Sequence, residues 1–131
     1  MKNVWERLAD SAEKLNRVTD EMNQTVSTIE QWLSGLNLGI QTEIEVPQVG
    51  WLGYCRWSSG GMWRLYIKSP HGDKWSFNDA PRTMRIESVS FIPQLLLALN
   101  DESEKLRLQI QEANEKAERV WRILNEHISD R

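Results

Sequence analysis

The sequence predicts an α+β fold: two long antiparallel helices, a coiled-coil-like hairpin, flanking a small antiparallel β-meander of about three to four strands, with a short helix before the last long one. Three observations predict it. Apolar residues recur at heptad spacing over Val4, Leu8, Leu15, Val18, Met22, Ile29, Trp32 and Leu36, and again over Leu96, Leu99, Leu106, Ile110, Val120 and Leu124. Between those seams the hydrophobic period drops to two. The connections between the alternating runs are short, as antiparallel neighbours allow and parallel ones do not.

The first helix is expected within residues 1–36, ending where Ser34-Gly35 and Asn37-Leu38-Gly39 supply turn chemistry. At 1.5 Å per residue it is roughly 45–50 Å long, far more than an average globular helix, and such a helix needs a partner along its length. Trp5, Ala12, Val26 and Leu33 widen the apolar stripe beside the seam. Ser11, Thr25 and Ser103 interrupt the two seams as register-setting polar positions or as solvated edges.

The sheet is expected within residues 40–78. Thr42, Ile44 and Val46 alternate with Glu43 and Glu45 until Pro47 and Gly50 interrupt them. A strand from Trp51 to Trp57 leads through Ser58-Ser59-Gly60-Gly61 to another from Met62 to Lys68, and Lys74 to Phe77 forms a short fourth. A short helix follows within residues 80–91, with Asp79 as its cap, Pro81 in its first turn and Ile86 and Val89 facing inward. Pro93 marks a break near Phe91, and the last helix spans 93–128. The whole, residues 1–131, reads as a single domain. Folded back as a hairpin, it brings Val4 and Leu8 to Leu124 and Ile128.

Composition excludes several function classes. Net charge is −3 with a pI near 5.4, which argues against binding to extended duplex nucleic acid. The charge is uneven: residues 51–86 carry six Lys/Arg against Asp73 and Asp79 alone, between two acidic flanks. Cys55 is the only cysteine, so no intrachain disulfide forms, and a reducing, cytoplasmic setting is expected. The start has charges where a secretory signal would be apolar, and the run Leu95–Leu99 is far too short to span a membrane.

Strand alternation places Trp51, Cys55, Trp57, Trp63, Leu65, Ile67, Trp75 and Phe77 on an expected core face. The opposite face then presents Leu52, Tyr54, Arg56, Arg64, Tyr66 and Lys68, with Lys74 nearby. Arginine and lysine hold phosphates or carboxylates, and tyrosine rings stack on planar groups. Arg82 and Arg85 follow at the short helix and join the candidate ligand-binding set of Tyr54, Arg56, Arg64, Tyr66, Lys68, Lys74, Arg82 and Arg85. The plain alternative is a solvated sheet face whose cross-strand pairs serve stability, with Glu43 or Glu45 as counter-ions.

Catalysis lacks a signature. His71 lies in a turn and His127 at a helix end, so no metal site is expected. No cofactor is implied: Ser59-Gly60-Gly61 lacks the Lys and Ser/Thr of a phosphate loop. Cys55 reads as a packed thiol, and a hydrolase built on His71 and Asp73 has no positioned nucleophile. The helix–sheet–helix order resembles that of many small microbial and phage proteins, and this resemblance assigns no residue a role.

The sequence therefore points to a non-catalytic, self-associating binding protein, a dimer or higher homo-oligomer. Its sheet would hold an anionic, nucleotide-like small molecule or an acidic protein surface, acting by sequestration or inhibition. Trp5, Leu8, Leu15, Met22, Ile110, Trp121 and Leu124 are the expected oligomer interface. The alternative is a helical scaffold that binds a partner helix through the long helices, with the sheet as a cap.

Overall fold

The structure, a computed structural model, describes residues 3–57 and 61–129. The α+β class is as expected: long α1 (Val4–Gly35), strands β1 (Thr42–Val46), β2 (Gly50–Trp57), β3 (Met62–Lys68) and β4 (Lys74–Ser76), short α2 (Arg82–Val89) and long α3 (Ile92–Ser129). The strands form one antiparallel meander in the order β1-β2-β3-β4. Ser58, Ser59 and Gly60 of the expected hairpin turn lie outside the described residues.

Local chemistry explains the boundaries. The Asn3 side chain accepts the Glu6 N–H at 2.9 Å, capping α1. Asn37, within the stretch expected to end it, turns left-handed at φ 53°, a conformation asparagine tolerates. Pro93 sits in the first turn of α3, where its missing N–H costs nothing, and the break falls between Val89 and Ile92 as expected. Asp79 does not cap α2; its carboxylate accepts the Ser76 hydroxyl at 2.7 Å, and Pro81 occupies the cap without a side-chain bond. Ile86 points outward at 55% exposure, and Arg85 and Ser88 take the buried face instead.

One face of the sheet carries the core. Leu52, Tyr54, Leu65 and Ile67 pack with Val26 and Leu33 of α1, Ile92, Leu95 and Leu99 of α3, and Phe77. On α1 the buried positions are Thr19, Val26 and Leu33, one residue off the heptad seam. The sheet thus uses a stripe of its own and leaves the seam beside it open. β4 is too short to cover all of β3, and α1 completes the edge: Glu30 accepts the Leu65 N–H at 2.9 Å.

The expected pairing of Val4 and Leu8 with Leu124 and Ile128 is not made within the chain. These residues are 71%, 63%, 50% and 61% exposed. Only the C-terminal end of α1 and the first turns of α3 share a core; from Glu104 to Ser129 every α3 residue is exposed. Both long helices therefore carry distal arms that a single chain leaves bare.

Candidate functional site

The register of β2 on β3 decides which predicted residues meet. Trp57 pairs with Met62, Cys55 with Arg64, Gly53 with Tyr66 and Trp51 with Lys68, while Tyr54 opposes Leu65 and Arg56 opposes Trp63. Directly paired residues share a face, so the expected faces hold for β3 and are inverted for β2. Trp51, Cys55 and Trp57 belong to the outer face, and Leu52 and Tyr54 to the core. The inversion has a simple cause: β2 has large apolar residues at both parities, so its alternation alone does not choose a face, and the register on β3 does.

Tyr54 is accordingly 2% exposed, with its ring 5.4 Å from that of Trp63. Burial, then the nearby Glu30 charge, raises its pKa. Arg56 follows it on the inner side and lies near the backbone of Gly61 at the hairpin loop. Neither residue joins the outer face.

Arg64, Tyr66, Lys68 and Lys74 share that face; Tyr66, Lys68 and Lys74 meet around Glu43, while the Arg64 charge acts on Glu30 of α1. The Tyr66 hydroxyl donates to Glu43 at 2.5 Å, and Lys68 pairs with the same carboxylate at 2.9 Å. Burial opposes the charge on Glu43, but those two bonds and the lysine charges outweigh it and hold its pKa below the usual range. Burial and the Glu43 charge push the Tyr66 phenol upward, so it stays protonated. Lys68 lies 4.9 Å from the Trp51 ring, and Lys74 lies 4.3 Å from Tyr66 and 5.4 Å from Trp57. Cys55, on the same face opposite Arg64, is buried as the packed thiol the sequence suggests. Tyr66 is only 2% exposed, so its ring offers no stacking surface.

Arg82 and Arg85 stand apart, against α1. Arg85 donates to the Ala80 carbonyl at 2.9 Å and to Asn23 Oδ1 at 2.6 Å, and Arg82 to Asn16 at 3.2 Å. Burial and the Arg82 charge lower the Arg85 pKa. Their geometry docks α2 onto α1.

The expected interface residues remain available. Trp5, Leu8, Leu15, Ile110, Trp121 and Leu124 are 77%, 63%, 46%, 58%, 62% and 50% exposed, and Met22 is half-buried. Where the two long helices meet, an apolar cavity of about 160 Å³ lies among Trp32, Leu36, Leu38, Leu96 and Leu99. A neighbouring groove of about 300 Å³ runs between Leu38 and Ile40 and the α3 residues Leu106 and Ile110.

No family model, curated protein or solved structure matches this chain.

The site must therefore be read from its own geometry. Leu38 and Ile40 are the residues that sequence reasoning missed. Two large apolar side chains within the turn-forming stretch after α1 were the available signal, since a fully solvated turn has no use for them. The described residues contain no cluster of three or more His, Cys, Asp or Glu placed to hold a metal, and no helix is long and apolar enough to cross a membrane.

Proposed function

We propose that this chain is a non-catalytic interaction protein that assembles through its long helices, with the small α+β unit as a rigid head. One observation carries the reading: beside the core, the groove between Leu38 and Ile40 and α3 opens onto Leu106 and Ile110, and the α3 seam beyond it leaves Val120 and Leu124 exposed as well. A helix of this length gains little from intrinsic propensity, and its stability comes from packing an apolar face. Helix-in-groove recognition, by another copy or by a partner helix, supplies that packing.

The test is native mass spectrometry of the purified chain beside Leu15→Glu and Ile110→Glu. The reading expects an oligomer, or a co-purifying helical partner, that is lost in both variants. An unbound monomer for the parent chain at tens of micromolar counts against it, that range being typical of weak specific association.

A second reading is favoured by Lys74. Its ammonium lies over two rings and acts on Glu43 through its charge without a direct bond, whereas Lys68 contacts that carboxylate at 2.9 Å. With Arg64 it offers the outer sheet face to an anionic group or an acidic protein surface. Arg64→Ala with Lys74→Ala would abolish such binding and leave helical assembly intact.

A further inference from the structure

We propose that the partner of the α3 arm is the α3 arm of a second copy, parallel and in register. The inference rests on the self-association reading above and adds the occupant and its direction. Heptad phase places Ser103, Ile110, Ala117 and Leu124 at one core position and Leu106, Ala113, Val120 and His127 at the other. Flanking positions then decide orientation, because in a parallel pair each preceding flank meets the following flank of its neighbour five residues on.

Every such pair is favourable. Glu102 meets Arg107 of the second copy, Gln109 meets Asn114, Lys116 meets the Trp121 ring and Ile123 meets Ile128. These are an ion pair, an amide pair, a cation on an indole and an apolar contact. In the antiparallel alignment, centred on Ala113 and Ala117, Lys116 faces its own copy and Gln109 faces Ile123. Like charges across an interface are penalised, and an amide facing an apolar side chain gains no hydrogen bond across it.

Exposure supports the same pairing. Trp121, Ile123 and Ile128 lie outside the core positions, yet each is an apolar side chain at 62%, 66% and 61% exposure. A solvated flank would carry charge there. Together with Ile110, Val120 and Leu124, they give a symmetric pair on the order of 1,000 Å² of buried surface, the lower bound for a specific interface. Ala113 and Ala117 in the middle let the two backbones approach closely.

Cysteine cross-linking tests the direction. In a Cys55→Ser background, Leu124→Cys places thiols face to face only in the parallel dimer. Mild oxidation should link that variant to itself at least about a hundred-fold faster than Glu115→Cys, whose side chain points away from the seam, because pairing raises the local thiol concentration from micromolar toward millimolar. The antiparallel dimer would instead cross-link only when Leu106→Cys and Leu124→Cys chains are mixed. That result overturns the inference and leaves self-association standing. A monomeric mass for the Cys55→Ser chain and the parent alike overturns both. All three cysteine sites lie outside the core cluster, so the head's fold, read by tryptophan fluorescence, is the same in each variant.

Discussion

The Tyr66 ring lies across Gly53, its direct cross-strand partner, so closely that a Cβ added at Gly53 would sit 2.3 Å from the ring's Cζ. No real Cβ approaches a ring so closely, so any side chain at this position expels the tyrosine. The ring is fixed at its far end by the bond from its hydroxyl to Glu43. Gly53→Ala should therefore destabilise the chain by about 2–4 kcal/mol, the range for a buried ring displaced from its packing. In a Tyr66→Ala background the same change should cost less than about 1 kcal/mol, because the clash is gone. Urea denaturation of the four chains closes the cycle, and additive effects would show that the two residues are not coupled.

Acid sensitivity follows from Glu43. Its pKa is lowered in the folded chain by Tyr66 and Lys68, so the unfolded chain binds its proton more readily. The stabilisation is present above the ordinary carboxylate range and is lost as pH falls through the folded value. The side chain is 32% exposed, so the effect is screened to about 1 kcal/mol. Glu43→Gln should lower the midpoint of urea unfolding at pH 7 and flatten its fall between neutral pH and pH 3.

Glu30 behaves with the opposite sign. Burial raises its pKa, outweighing the Leu65 N–H and the Arg64 charge, so the folded chain takes up the proton first. Its contribution to stability is fully present below the unfolded pKa and declines as pH rises through the raised folded value. Glu30→Gln keeps an acceptor for the Leu65 N–H without the buried charge, and should match or exceed the parent in stability at pH 7. Glu30→Ala leaves that backbone donor unpaired and should cost about 1–2 kcal/mol. A Gln variant as unstable as the Ala variant would show that the charge, not the acceptor, is what the edge of β3 requires.

These two carboxylates also mark how much the sequence reveals. The strands were legible because Val46-Pro47, Gly50, Gly60-Gly61 and Pro70 punctuate alternating runs, and the long helices because heptads persist over nine turns or more. Glu43 was legible, together with Glu45, as a candidate counter-ion, since both alternate with apolar residues on the strand beside β2. Glu30 was not: on α1 it reads as a solvated flank, and its partner lies 35 residues away across the sheet edge. Tyr54 was misplaced for a related reason. A strand apolar on both faces carries no parity signal of its own, so its orientation shows only in the register it takes on β3. The open arms differ again, because heptads state that a helix pairs without stating whether the partner is the same chain.

The residues from Glu104 to Ser129 are all exposed, and a helical segment without tertiary contacts is marginally stable in water. If another chain covers the arms, dilution should unravel them while the head persists. Far-ultraviolet ellipticity at 222 nm, the helical band, should then fall as concentration drops across the assembly range, whereas near-ultraviolet signals from Trp63 and Trp75, packed against the core, stay constant. Ile110→Glu should remove the concentration dependence and hold the ellipticity at the diluted value. It should leave the head's urea midpoint within about 0.5 kcal/mol of the parent, since surface changes away from the core have effects of that size. Leu99→Ala, by contrast, opens a cavity beneath the sheet at a residue only 2% exposed and should cost the head about 2–5 kcal/mol. An ellipticity independent of concentration in the parent chain, at values matching a full-length α3, would mean that the arm stands without a partner.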